Sequence, residues 1–466
     1  PIPLVLAVLL LAGCAAQRPP PVPASPPLPP LQVPAAFRHA DGAWVPTQSV
    51  AAPSAGAWWR AFDDPELDRL VARIDAANPT LAASVAAYRQ ARALVAEQRA
   101  SLFPSVVLDA GASRGGGATS GGRGSRGSAD LGIGASWEPD LWGRLAQSAE
   151  GARAGEQASE ADLAAARLSL QGELAVAYFN LRGLDAEIAL LARTLSGYER
   201  SLQIASNRYE AGIVARTDVL QARTQLANTR AELLGLQRQR QQLEHALAVL
   251  TGEAPAAFAL PPAEAAEVRV PQVPAGLPST LLLRRPDLLA AERRVAQANA
   301  QLGLARTAWY PSLRLSGSTG LGAAAVGELF SAGTLVWALG ASLVQSIFDG
   351  GAIDARIERA AGGVEESAAR YRQAVLAAFR AVEDQLAGGR ILAAQVALRE
   401  EAAQAAALVE QQVMRRYEAG QVGFTEVINA QATSQAARRA LVQLQAQRQV
   451  AAVSLVQALG GGWPMD

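Results

Sequence analysis

Lysine is missing from these 466 residues, and arginine supplies all 42 cations against 42 acidic side chains. An even balance leaves no basic footprint for nucleic acid and no acidic tail. The exclusive use of arginine reads as genome composition rather than function. One cysteine, Cys14, excludes an intramolecular disulfide and a cysteine-based zinc site. The two histidines, His39 and His245, lie far apart, which argues against a His-rich metal site or His-based catalysis. No apolar run after residue 13 reaches the length of a spanning helix. Nor is there a Gly-rich phosphate loop, a metal-ligand cluster or a nucleophile with a base, so the chain reads as a non-enzyme without cofactor. What is present is an Ala-rich chain, half hydrophobic, long enough for a large core and by length for two to four domains. Its function has to come from architecture.

Residues 2–13, IPLVLAVLLLAG, form an apolar run too short to span a bilayer but of the right length for the core of a secretory signal. No Met or basic leader precedes them, and residues 1–13 are read as a signal with a truncated start. Leu11-Ala12-Gly13-Cys14 resembles the bacterial lipoprotein box, in which small residues precede the cut and Cys14 carries the lipid. Two acyl chains hold a protein on a membrane where one barely does. Ala15 follows rather than Asp, so the inner-membrane retention signal of lipoproteins is absent. Thirteen of the 26 prolines fall in the first 60 residues. Residues 14–60 are therefore expected to be an extended tether, a plain spacer.

The remainder reads as one unit written twice. Asn78-Pro79-Thr80-Leu81 is matched by Arg285-Pro286-Asp287-Leu288, and Leu102-Phe103-Pro104-Ser105-Val106 by Trp309-Tyr310-Pro311-Ser312-Leu313. The two prolines stand 25 positions apart in both halves. Arg208-Tyr209-Glu210-Ala211-Gly212 is matched by Arg416-Tyr417-Glu418-Ala419-Gly420, and Thr217-Asp218-Val219-Leu220 by Thr425-Glu426-Val427-Ile428. The offset stays between 206 and 208, too long for a solenoid period, and points to duplication. The expected units are 61–260 and 285–462, joined by a linker at 261–284.

Each half opens on a helical stretch, 80–101 and 287–307, ended by proline. Alternation then predicts two strands, about 105–113 and 131–139 in the first half and 311–319 and 335–344 in the second, with a Gly/Ser/Arg loop at 114–130. Val106, Leu108 and Ala110 share one face, and Asp109 and Gly111 the other. Strands of about nine or ten residues with aromatics near their ends (Phe103, Trp137, Trp142, Trp309, Tyr310, Trp337, Phe348) match a membrane β-barrel. A half-buried soluble hairpin has the same alternation. Proline-free stretches at 140–254 and 312–463 then hold long helical hairpins, about 144–250 and 351–459. Leu170, Leu174, Ala177, Leu181, Leu184, Ile188, Leu191, Leu195, Tyr198 and Leu202 step by four and three, a heptad seam that an ordinary coiled coil also shows. Four strands cannot close a barrel, and open edges are forbidden in lipid, so several copies must pool their strands.

Taken in order, the lipoprotein box, the two strand pairs, the paired turn motifs and the repeat resemble the TolC-type outer-membrane factors of tripartite efflux pumps, most closely the lipidated OprM/NodT-like branch. Trp58-Trp59 with Asp64-Pro65-Glu66-Leu67, Asp140-Leu141-Trp142-Gly143-Arg144 and Ile347-Phe348-Asp349-Gly350-Gly351 are also similar to that family. The resemblance covers nearly the whole chain from residue 14. It implies a mainly α fold with a membrane β-barrel portion: a long antiparallel coiled-coil tunnel, four strands per protomer and a twelve-stranded barrel in a homotrimer. It implies an exit duct for small molecules such as drugs, set in the outer membrane with a periplasmic tunnel. The implied partners are a periplasmic adaptor, an inner-membrane RND-type transporter and outer-membrane lipid, with no nucleic acid. An exit duct for type I protein secretion and a lipid-anchored scaffold without a pore are the other readings.

Carried over residue by residue, the adaptor-facing tips are Arg208, Tyr209, Gly212, Thr217, Asp218, Val219 and Leu220, then Arg416, Tyr417, Gly420, Thr425, Glu426, Val427 and Ile428. Glycine allows a tight turn, and Thr217 and Thr425 are expected to cap the returning helices with Asp218 and Glu426 in the first turn. Glu426 and Asn429 match the pore constriction. Asn429 stands where the family often has a second acid, so one carboxylate ring is missing and the gate charge is open. Arg416 is expected to pair with Asp218 or Glu426 and hold the tips shut.

Overall fold

The computed structural model describes residues 33–38, 57–119, 122–263, 270–271, 284–331 and 335–461. The signal segment, Cys14, most of the tether and most of the linker lie outside the described residues. Helices α1 (Pro65–Ala77) and α2 (Pro79–Ala100) lead into strands β1 (Ser105–Thr119) and β2 (Gly122–Trp137), then α3 (Arg144–Glu210) and α4 (Arg216–Leu250). The second half repeats the order: α5 (Pro286–Thr307), β3 (Ser312–Ala323), β4 (Leu335–Val344), α6 (Ala352–Glu418) and α7 (Phe424–Ala458). α3 and α6 have 67 residues each, about 100 Å at 1.5 Å per residue, and α4 and α7 have 35 each. The chain divides into two units.

One unit comprises Ala86–Ala161 and Ala290–Gln373. Its sheet is antiparallel in the order β1-β2-β3-β4. The first hairpin pairs from Ser105↔Ser136 to Thr119↔Gly122, so most of 114–130, expected as a loop, is ladder. Glycine and serine are weak strand formers alone. Here the register set by Val106↔Ala135 and Leu108↔Ile133 carries them. Parity places Leu108, Ile133, Thr319 and Trp337 in one cross-strand row, and Asp109, Gly132, Gly320 and Val336 in the next. Serine hydroxyls pair on the second face, Ser105 with Ser136 at 2.9 Å and Ser113 with Ser128 at 2.8 Å.

The sheet-to-helix junctions are built alike in both halves. Asp140 accepts from the Leu145 and Ala146 amides at 3.0 and 2.8 Å. Asp349 accepts from Gly351, Ala352 and Ile353. Each carboxylate meets donors that the first helical turn leaves unpaired. Trp142 stacks on Tyr310 at 5.2 Å and donates from Nε1 to the Pro311 carbonyl, which ties the first junction to the start of β3.

The other unit comprises Leu31–Val85, Asp162–Leu289 and Ala374–Asp466, so far as these are described. α1 packs Leu67, Leu70, Val71 and Ile74 into a core with Leu174, Leu181, Leu247, Leu260 and Val453. Asp64 caps α1 through the Glu66 and Leu67 amides and accepts from the Tyr178 hydroxyl at 2.7 Å. Burial, and then Asp64, push the Tyr178 phenol up, so it stays a donor. The expected plain spacer is not one throughout. Trp58 is buried in this core, Phe37 is buried, and the Arg38 amide donates to Glu383 at 2.6 Å. Proline density describes the average of that segment and says nothing about single aromatic anchors within it.

Candidate functional site

Both hairpin tips end their long helix in the same way. Gly212 and Gly420 adopt φ of 69° and 75°. The Gly212 amide donates to the Tyr209 carbonyl at 2.9 Å and the Ile213 amide to that of Arg208 at 2.8 Å. In the second tip Gly420 donates to Tyr417 and Gln421 to Arg416 at the same distances. This is the Schellman pair of bonds, and it needs a left-handed residue at its glycine. The shared RYEAG sequence is therefore first a helix terminator. Gly420→Ala should cost about 1–2 kcal/mol, the ordinary penalty for a side chain in this region. Faster amide exchange confined to residues 413–424 is the readout.

The returning helices correct one expectation. Ala215 and Gly423 occupy the cap positions, and neither tip has a side-chain cap. Thr217 and Thr425 sit two residues past the cap, at the second helical position, where the backbone is already helical. Asp218 and Glu426 do lie in the first turn, with their charge toward the positive helix end.

Identical motifs end in different surroundings. Tyr417 is 2% exposed and Tyr209 is 45% exposed. Tyr417, Phe424 and Val427 pack with Ala205 and Ala222 of the first hairpin, and Val219 and Ile428 lie against the cluster. Arg208 reaches across the two tips. Its Nη1 donates to the Tyr417 carbonyl at 2.5 Å, and its guanidinium stands 4.7 Å from the Tyr417 ring centroid. Burial pushes the Tyr417 phenol up, Arg208 opposes this and Asp218 adds to it. The expected Arg416 latch to Asp218 or Glu426 is not formed within one chain. Arg416 is exposed, and Arg208 joins the tips instead. Residue type alone could not separate two arginines in equivalent positions. The usable signal was the departure from the repeat at Arg216 and Phe424, since an aromatic in place of a cation marks the half that packs inward. Glu426 and Asn429 are exposed, one turn apart on α7, while the adjoining Val427 and Ala430 are buried. Among the described residues no group of acidic, His or Cys side chains could hold a metal, and no helix is long and apolar enough to cross a membrane.

Similarity to known proteins decides the family. Residues 70–253 and 277–461 both match the outer membrane efflux protein family. The chain belongs to that family. The double match coincides with the internal repeat. The pyoverdine export outer membrane protein OpmQ of Pseudomonas aeruginosa is 34% identical over 419 residues, 88% of each chain. Among solved structures, the outer-membrane channel OprN superposes with a TM-score of 0.83 at 30% identity, over 93% of this chain and 99% of that one. The open state of the Neisseria gonorrhoeae MtrE channel gives 0.82 at 31% identity, over 94% and 98%. The fold is that of TolC-like outer-membrane channels. This outer membrane efflux protein is a channel component of an efflux pump and resides in the outer membrane.

Proposed function

We propose that three copies pool their sheets into a twelve-stranded barrel and serve as the exit duct of a tripartite pump for small molecules. In this reading the tips dock a periplasmic adaptor, an inner-membrane RND-type transporter supplies the energy, and lipid on Cys14 anchors the chain. The observation that carries it is the sheet. Leu108, Trp337 and Leu339 are 70%, 72% and 81% exposed on one face, and β1 and β4 each have one neighbour. An apolar face with two open edges suits lipid only once the edges are closed by other copies. Relatives named for pyoverdine, toluene and antibiotic export support small molecules as cargo. Purified with its lipid anchor, the protein should run as a heat-modifiable trimer that needs detergent. A water-soluble single chain after removal of Cys14 would overturn this reading.

Glu426 and Asn429 then form the constriction, with one carboxylate ring from Glu426. A threefold ring of carboxylates raises the local cation concentration. Replacing Asp218 and Glu426 with Ala should lower the cation current and the cation preference of single channels in planar bilayers. Unchanged currents would remove both residues from the gate.

A further inference from the structure

A polar cavity of about 170 Å³ lies between α3, α6 and α7. Its lining includes two cations, Arg193 and Arg438, one carboxylate, Glu410, and the hydroxyls of Thr194 and Ser434. Two guanidiniums against one carboxylate leave an excess positive charge. Neither guanidinium is saturated. Arg438 stands 3.6 Å from Glu410, an ion pair too long for a hydrogen bond. Arg193 uses its Nε on the Ala189 carbonyl at 3.3 Å, which leaves both Nη groups.

Two further observations point to an occupant. Ser434 is 1% exposed, and its hydroxyl has no partner among the described residues. An unmet buried hydroxyl costs about 1–3 kcal/mol. Its polar neighbours are already engaged: the Tyr198 hydroxyl donates to Gln435 Oε1 at 3.1 Å, and Gln431 Nε2 donates to Ser201 at 3.1 Å. The second observation is Gly197, which lines the same space in the interior of α3. Glycine inside a helix costs about 1 kcal/mol relative to alanine. A Cβ at Gly197 would meet no heavy atom within 4 Å, so no close neighbour demands glycine there. Gly197 is exposed, and the absence of its side chain leaves free space at the rim of the cavity.

We propose that this cavity binds a small tetrahedral oxyanion, a phosphate or sulfate group, held by Arg193, Arg438 and the Ser434 hydroxyl. The volume exceeds that of a single water, about 30 Å³ in the liquid. Planar guanidinium forks match oxyanion geometry, and a charged acceptor strengthens each bond. The occupant would bridge α3 of the first repeat to α6 and α7 of the second, so it also stabilises the packing of the two hairpins.

The test uses the full chain in detergent. Inorganic phosphate, glycerol phosphate and chloride are compared at equal ionic strength, by calorimetric titration and by the thermal midpoint. Phosphate should bind and raise the midpoint where chloride does not. Preference for glycerol phosphate over the inorganic ion would show that the source is a phosphorylated solute. Arg193 is exposed, so Arg193→Gln should fold and weaken phosphate binding about tenfold, the value of one charge-assisted bond. Gly197→Leu keeps every charge and should abolish binding by filling the space. Phosphate no better than chloride, wild-type binding in both variants, or a crystal structure grown in phosphate with only water in the cavity would each overturn the proposal.

Discussion

Arg240→Ala is expected to destabilise the protein by about 3 kcal/mol, because it leaves a buried carboxylate without one of its cations. Asp185 has 1% of its side chain exposed. It accepts from Arg240 Nε at 2.6 Å, from Arg182 Nη1 at 3.0 Å and from the Ala263 amide at 3.2 Å. Arg240 also bonds Glu244 and the Leu260 carbonyl, and Arg182 bonds the Pro261 carbonyl. The network thus fastens residues 260–263 onto α3 and α4. Arg240→Ala leaves the buried Asp185 charge with Arg182 and the Ala263 amide alone, whereas replacing both residues removes one buried charge of each sign together and leaves Arg182 on the Pro261 carbonyl and Glu244 on the Leu260 amide. The double variant D185L/R240L should therefore recover more than half of the loss in thermal or denaturant unfolding. Arg230→Ala is the control. The Arg230–Glu199 pair has side chains 58% and 52% exposed and should be worth about 0.5 kcal/mol or less. An Arg240→Ala loss as small as the control's would show that the network contributes nothing.

The second large effect separates the two faces of the sheet. Leu339→Arg places a charge on the apolar face, where a membrane strand pays about 2–4 kcal/mol near the bilayer midplane. Ser316→Arg places the same charge on the opposite face of the neighbouring strand, since Gly317 pairs with Leu339 and Ser316 with Gly340. The first variant should fail to accumulate as a heat-modifiable species in the outer membrane, and the second should assemble. Equal assembly of both would mean that the apolar face does not meet lipid, and the barrel reading would fall with it.

Much of this was legible because it is local. Alternation at Val106, Leu108 and Ala110 depends only on neighbours along the chain, and the Gly212 and Gly420 turns depend on a handful of adjacent residues. The extension of the first hairpin through the glycine-rich stretch was not legible, because its stability comes from the paired strand rather than from its own propensity. The same holds for Thr217 and Thr425. Composition marked them as caps, but the helix starts at Arg216 and Phe424. In the second tip this two-residue shift in where the helix begins goes with the packing of Phe424 and Val427 in the tip cluster.

By itself the sequence established the duplication, the order of helices and strands and the two faces of each strand. These follow from spacing and periodicity, which each repeat carries in full. Which of two equivalent tyrosines is buried, which arginine joins the tips, and where Phe37, Trp58 and Asp185 find their partners were decided only in three dimensions. The two repeats of one chain meet different neighbours, and those contacts join residues as far apart as Arg208 and Tyr417, beyond the reach of any local pattern.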